Sequence, residues 1–191
     1  MALTKIQSLG ITDGTIVNAD INASAAIDST KLSGVSAGKF ESALLHVRDE
    51  KASGTGGGSF TSGSFVTRTL NTVVTNEISG ASLTSNQIIL PSGTYFIEAF
   101  CSAEYVDGHK AKLRNITDSS DTVIGRTARA SSSSVNSTTS HVIGRFTITA
   151  QKTFELQHRG ETTYGSGLGN PNPSSFSLTE VYAIAMIWKV A

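Results

Sequence analysis

The side chains most able to do chemistry in this sequence are four histidines, one cysteine and scattered carboxylates. His46, His109, His141 and His158 occur singly, so no short spacing of ligands defines a metal site within one chain. On a threefold axis one histidine would supply three ligands, and His158, on an apolar strand face, is the best candidate for that position. A core or interface histidine fits the pattern better, so we predict no metal and no cofactor.

Motifs for nucleophilic or phosphate chemistry are incomplete. Cys101 lies inside a strand pattern, which favours an inert core thiol over a nucleophile. The segment GVSAGKF (34–40) is similar to a P-loop, but Ser33 stands where the first glycine is needed and Phe40 follows the lysine. Glycosidases need two carboxylates across a groove. Six acidic residues are available, but nothing in the sequence pairs them, so we predict no enzyme: Glu98, Glu104, Asp107, Asp118, Asp121 and Glu155.

Composition excludes several classes of function. The chain has 15 basic and 15 acidic residues, so it lacks the basic surplus with which proteins hold nucleic acid. No apolar run is long enough to cross a membrane, and the N-terminus lacks an apolar signal core. A single cysteine suits synthesis in a reducing cytoplasm. Plentiful glycine (18 residues) and few charged residues (16%) favour β-structure with many turns.

The N-terminal segment carries large aliphatic residues at a spacing of five, which matches neither a helix nor a strand. Asp, Asn, Gly and Ser between them are turn formers, so the chain must bend and share its aliphatics with other surfaces. A disordered polar leader is the alternative, and residues 23–32 are compatible with one or two helical turns. We assign residues 1–40 as an attachment or shaft segment that buries Ile6, Ile11, Ile16, Ile21, Ile27 and Leu32.

From residue 41 to 191 the sequence predicts an all-β domain. Short apolar-polar alternations separated by turn signals are typical of a sandwich or barrel. A strand begins at about residue 44, a glycine-rich loop follows at 51–59, and about ten strands in all suit a two-sheet jelly roll. The further strands predicted are 60–69, 72–78, 86–90, 94–104, 109–116, 122–129, 141–149, 152–158 and 180–190.

The last strand, VYAIAMIWKV (181–190), is apolar on both faces. An antiparallel sandwich strand normally buries one face and exposes the other. Either a loop of the same chain covers the second face, or copies of the chain pack on it, for which a closed cyclic ring is the usual solution. We predict an interface between copies of the chain formed by Tyr182, Ile184, Met186 and Trp188.

Two long polar loops are candidates for ligand recognition. The first, 130–141, offers hydroxyl and amide groups, and the second, 159–176, adds an aromatic ring on which a sugar can stack. Ordinary solvent-exposed crossovers would have the same composition. The residues predicted to contact a receptor are Ser132, Asn136, Tyr164, Asn170 and Asn172.

Two phrases of the sequence resemble known families. The segment IILPSGTYFIEAFCSAEYVDGHKAKLRNITD, with the apolar C-terminal strand, resembles the trimeric jelly roll of tumour-necrosis-factor-like and complement-globular-head domains, in the version carried by bacteriophage virion proteins. The leader LGITDGTIVNADINASAAIDSTKLSG is similar to stretches of phage fibre and virion structural proteins. Neither phrase is a catalytic signature.

The resemblance implies a homotrimeric short fibre or spike on the virion surface, made in the cytoplasm of a bacterial host. Its N-terminus would attach to other virion proteins (portal or adaptor, tail or capsid), and its knob would bind a host surface glycan or protein. No nucleic acid and no membrane insertion is expected. The alternatives are a capsid head fibre or decoration protein of the same architecture, and a cellular carbohydrate-binding or adhesion module.

Overall fold

The computed structural model describes residues 43–134, 136–173 and 176–190, and the six aliphatic residues assigned to attachment lie outside these ranges. Every regular element named within them is a β-strand, and the part described holds no helix long and apolar enough to cross a membrane. The strands are β1 (Leu44–Lys51), β2 (Val66–Thr67), β3 (Thr72–Asn76), β4 (Ser82–Thr84), β5 (Gln87–Leu90), β6 (Gly93–Glu104), β7 (Asp107–Asn115), β8 (Ser120–Ile124), β9 (Ala128–Ala130), β10 (Ser137–Ile148), β11 (Lys152–Gly160) and β12 (Glu180–Lys189).

The strands form two antiparallel sheets. Sheet I has the order β10-β6-β12-β1-β3, and sheet II has the order β4-β5-β11-β7-β8, with β2 pairing β11 and β9 pairing β7. Neighbours in both sheets are mostly far apart in sequence, as in a jelly roll. The predicted all-β jelly-roll sandwich is therefore confirmed.

The core lies between the sheets because inward and outward side chains alternate along each strand. From sheet I, β6 contributes Ile97 and Cys101 and β12 contributes Ile187, all fully buried. From sheet II, Leu113 and Phe154 meet them. Burial raises the pKa of the Cys101 thiol to about 12, so it stays protonated and inert as predicted.

The sandwich has two distinct ends. At the base, β1 begins and β12 ends, with Leu44 opposite Trp188 and the Val190 amide donating to the Thr94 carbonyl at 2.8 Å. At the other end, which we call the loop end, β6 stops at Glu104 and β7 starts after a tight turn. The twelve residues of β6 separate the two ends by roughly 36 Å.

The strand predictions fail mainly where polar residues form strands or apolar ones do not. The region 60–69 is largely loop, with only β2 inside it. Loop 130–141 is shorter than predicted because β10 already begins at Ser137. Ser140 fits the core because its hydroxyl donates to the Arg126 carbonyl at 2.6 Å and accepts from the Ala111 amide at 2.9 Å. The predicted strand 122–129 is two strands, β8 and β9, and β4 was missed.

Candidate functional site

The outer face of sheet I carries large apolar side chains on three adjacent strands. On β12, Ile184, Met186 and Trp188 point away from the core and are half-buried. Ile143 of β10 is 48% exposed. Such a contiguous patch is unusual for a monomer. We call it the apolar face, and it comprises Phe96, Phe100, Ile143, Ile184, Met186 and Trp188.

A carboxylate stands in the middle of the apolar face. Glu98 lies between Met186 on one neighbouring strand and Ile143 on the other. Within the described ranges no side chain forms an ion pair or hydrogen bond with it. A half-buried charge without a partner costs free energy. The arginines on the same face lie towards its margins, at Arg48 and Arg145.

Tyr182, predicted to belong to the same interface, is placed differently. It is only 5% exposed, because loops of its own chain cover the ring. A Cβ on Gly57 or Gly169 would overlap this ring, so glycine is required at both positions for the loops to close over it. The Tyr182 hydroxyl donates to the Thr55 carbonyl at 2.7 Å. This tyrosine therefore fastens the loops to β12 and does not extend the apolar face.

The loop end gathers the residues predicted to bind a receptor around the turn between β6 and β7. Asp107, in a left-handed conformation, accepts from the Ser132 amide at 3.2 Å and the Thr162 hydroxyl at 2.6 Å. Hydrogen bonding from the Ser132 side chain, then from Thr162 and the Ser132 amide, lowers the pKa of Asp107 to about 2. The ring of Tyr164 lies 4.9 Å from that of Tyr105 in the turn. Both loops thus meet at one place.

Asn170 and Asn172 line a polar pocket of about 480 Å³ on the sheet I side of the loop end. The Asn172 amide donates to Glu180 at 3.2 Å. Glu104, which the sequence did not single out for binding, also lines the pocket and is 6% exposed. Asn136, exposed on the approach to β10, does not line it. We call this cavity the polar pocket, and it adjoins the apolar face at Ser102, Val181 and Tyr182.

Arg68 connects the loops of the loop end to strands β6 and β12. Its fully buried guanidinium donates to the Ser102 carbonyl at 3.0 Å, the Leu168 carbonyl at 3.0 Å and the Tyr182 carbonyl at 2.7 Å. Its Nη2 also lies 3.5 Å from the buried carboxylate of Asp49. Sequence reasoning missed this residue. The signal was present, since Arg68 occupies an inward position between Val66 and Leu70.

His109 and His158 form a buried pair beneath the same end, with Nδ1 of His109 2.9 Å from Nε2 of His158. His158 is fully buried and packs edge-on against Phe60 at 4.9 Å between ring centroids. Burial, and the positive charge of Arg68, lower the pKa of both imidazoles, that of His109 to about 4. The idea of His158 as an axial metal ligand is therefore wrong, because its ring lies inside one sandwich.

The geometry offers little for catalysis. Among the described residues no three metal-ligating side chains cluster. Asp118 and Asp121 are engaged with Lys152 and Arg114, respectively. Residues 34–38 have the G-x-S-x-G spacing of a nucleophile elbow. That elbow requires a strand-to-helix turn in an α/β sheet, whereas the described fold is all-β, and the segment lies outside the described residues.

Comparison with known proteins identifies the fold and no more. No protein-family model and no curated protein matches the sequence. The globular domain of zebrafish complement 1qA is similar in structure, with a TM-score of 0.51 and 11% identity over 79% of this chain and 98% of that one. The chain thus has a jelly-roll fold similar to that of this complement globular domain.

Two other solved structures resemble the chain less well. The PRD1 vertex protein P5 has a TM-score of 0.47 and 16% identity over 78% of this chain and 97% of that one. Murine APRIL at pH 5.0 has a TM-score of 0.49 and 10% identity over 76% and 98%.

Proposed function

We propose that the protein is a non-enzymatic structural protein of a bacteriophage virion. In this proposal three copies form a knob through the apolar face, residues 1–40 attach it to other virion proteins, and the loop end binds the host surface. The resemblance of the leader to phage virion proteins supports the phage assignment. The single observation that carries the trimeric knob is the apolar face itself.

The apolar face supports association of copies because its own chain leaves it half-exposed. Ile184, Met186 and Trp188 continue across β6 to two phenylalanines without an intervening loop. Taking such a side chain from full exposure to full burial contributes about 1.5–3 kcal/mol, so these half-buried side chains would gain roughly half of that each. The unpartnered carboxylate of Glu98 also favours association. In a symmetric assembly the cations at the margin of a neighbouring copy's apolar face can form an ion pair with it.

The two ends of the sandwich suit the proposed division of labour. The described chain enters the sandwich at the base, beside the end of β12. The loops that meet at Asp107 lie at the opposite end, roughly 36 Å away. A segment preceding β1 could therefore hold a particle without obstructing those loops.

The trimer is tested by light scattering on the full-length protein. We expect three times the chain mass of 20.0 kDa, about 60 kDa. Met186→Asp would bury unpaired charge in the interface and should give monomers or aggregates. The matched control is Ile124→Asp, because Ile124 is 55% exposed on sheet II and should tolerate a charge. A monomeric wild type, or a Met186→Asp protein that stays trimeric with unchanged melting, would overturn the interface.

Attachment is tested by deleting residues 1–40. We expect a knob that remains trimeric and no longer joins the virion, and normal incorporation of the truncated protein would refute the anchor. Electron microscopy with labelled protein then separates a tail fibre from a capsid fibre or decoration protein. A cellular carbohydrate-binding or adhesion module remains the second candidate, and the absence of the protein from purified particles would favour it.

A further inference from the structure

A shallow groove on the outer face of sheet II, at the loop end, has features that folding does not explain. Its volume is about 470 Å³, within the range of small-ligand sites. Backbone at Gly108 and Gly160 forms part of its lining, and Phe65, Lys110 and Arg159 project around it. We call it the outer groove. Arg159 and Gly160 open the loop predicted at 159–176, where the structure instead continues strand β11 to Gly160, and Phe65, Gly108 and Lys110 lie outside both loops predicted to bind a receptor.

Two like charges face each other in this groove. Arg159 of β11 is directly opposite Lys110 of β7, an arrangement that destabilises a sheet. In the described part of the chain neither side chain has an acidic partner or a hydrogen bond. The one carboxylate lining the groove, that of Glu161, accepts from the Gly108 amide at 3.0 Å and lies 3.8 Å from Arg129.

The other cations on β7 and β11 are paired with acidic side chains. Further along, Arg114 stands opposite Glu155 and lies 2.9 Å from Asp121. Lys112 stands opposite a glutamine and lies 2.8 Å from the same aspartate. The unpaired cations of these two strands are therefore Lys110 and Arg159 in the groove, where an external anion would satisfy both.

An exposed aromatic ring lies beside the unpaired cations. Phe65 is 39% exposed and has Lys112 3.8 Å from its ring centroid and the Arg159 guanidinium carbon 6.0 Å away. An aromatic ring that is flanked by cations in this way can stack on the nonpolar side of a sugar ring. Two cations, one ring and a shallow open groove together match a saccharide that carries an anionic group.

We propose that the outer groove binds an acidic saccharide. The anionic group lies between Lys110 and Arg159, and the sugar ring stacks on Phe65. The inference deepens the proposed host binding and rests on it for its biological role. It also explains which of the two cavities at the loop end binds the ligand. The polar pocket adjoins the apolar face and would lie near a neighbouring copy, whereas the outer groove is on the opposite sheet and stays open.

Calorimetry with the full-length protein tests the site. The probes are oligogalacturonate, a phosphorylated mannan oligosaccharide and neutral maltooligosaccharide of matched length. We expect at least one charged probe to bind and the neutral probe to bind at least tenfold more weakly, with affinity falling as salt rises. Preference for galacturonate identifies a carboxylate and preference for the mannan a phosphate. No binding of either charged probe overturns the proposal.

Charge-matched variants separate a site from general attraction to anions. Lys110→Gln combined with Arg159→Gln should lower affinity about tenfold or more, and Phe65→Ser should also weaken it. Lys152→Gln combined with Arg114→Gln removes the same two charges from the other ends of β11 and β7, and this control should bind normally. Equal loss in all variants would overturn the proposal.

Stability and mass measured on the same samples make the result unambiguous. Removing two opposed cations should leave the melting temperature unchanged or raise it, and a marked fall would mean that they have a structural role and would refute the reasoning. A trimer that binds no charged probe overturns only the outer groove. A monomer that binds one overturns only the trimer.

Discussion

Replacing Arg68 with methionine should be among the most destabilising single changes in the knob. Methionine fills a similar volume but leaves three carbonyls without their donor, each worth about 1 kcal/mol net. It also removes the guanidinium from the buried carboxylate of Asp49. That carboxylate keeps Lys51 at 2.7 Å, so the loss falls in the lower part of the range for a broken buried pair, about 3–4 kcal/mol.

Urea unfolding of wild type and variant at one protein concentration measures this loss, since the stability of an oligomer depends on concentration. Arg114→Met is the matched control. Arg114 is partly exposed, and Lys112 keeps Asp121 paired after its removal, so we expect a loss below about 1 kcal/mol. If Arg68→Met also costs less than about 1 kcal/mol, the carbonyls have other donors and the proposed fastening of the loop end is wrong.

Three further changes probe the loop end. Burial lowers the pKa values of the histidine pair below the ordinary 6.5, so the contribution of the pair to folding stability is complete above pH 6.5. That contribution declines towards pH 4 by about 1 kcal/mol per pH unit or more. Urea midpoints from pH 7.5 to 4.5 will measure the decline, and a flat profile contradicts it. Gly169→Ala forces a Cβ into the Tyr182 ring at a φ of +144°, and should cost about 3 kcal/mol in thermal unfolding, whereas Gly165→Ala, with open space around it, should cost under about 0.5. Asp107→Asn keeps the left-handed backbone but weakens the hydrogen bonds that this side chain accepts. Hydrogen exchange at the Ser132 amide should therefore accelerate while the mass of the oligomer stays the same. Unchanged protection would show that the carboxylate does not order that loop.

The fold was predictable because alternation is a direct record of burial. In β12 the inward positions Ala183, Ala185 and Ile187 are buried, whereas Ile184, Met186 and Trp188 point outwards and are only half-buried. Strands built from serine and threonine were not predictable in the same way. The first residues of β10 carry no apolar signal, and only pairing with β6 makes them a strand.

The site was only partly predictable because it depends on contacts distant in sequence. Tyr182 has the same alternation as Met186. Nothing in the spacing indicates that the loops of Gly57 and Gly169, the first of them more than a hundred residues away, cover Tyr182 and not Met186. The opposed cations of the outer groove were hidden for the same reason. Lys110 and Arg159 become neighbours only through the register of β7 and β11, which alternation alone does not specify.

The buried hydrogen bonds and close contacts that fix loops in place are concentrated at the loop end, away from the apolar face. Arg68 ties the loop of Leu168 to two strands, Tyr182 closes between two glycines, and Asp107 joins two loops to one turn. A loop end that merely ended the sandwich would need none of these devices, because exposed loops tolerate mobility. Fixing the loops before binding lowers the entropy lost when a ligand is bound. The rigid loop end beside unpaired Lys110 and Arg159 therefore supports recognition over a purely structural role for that surface.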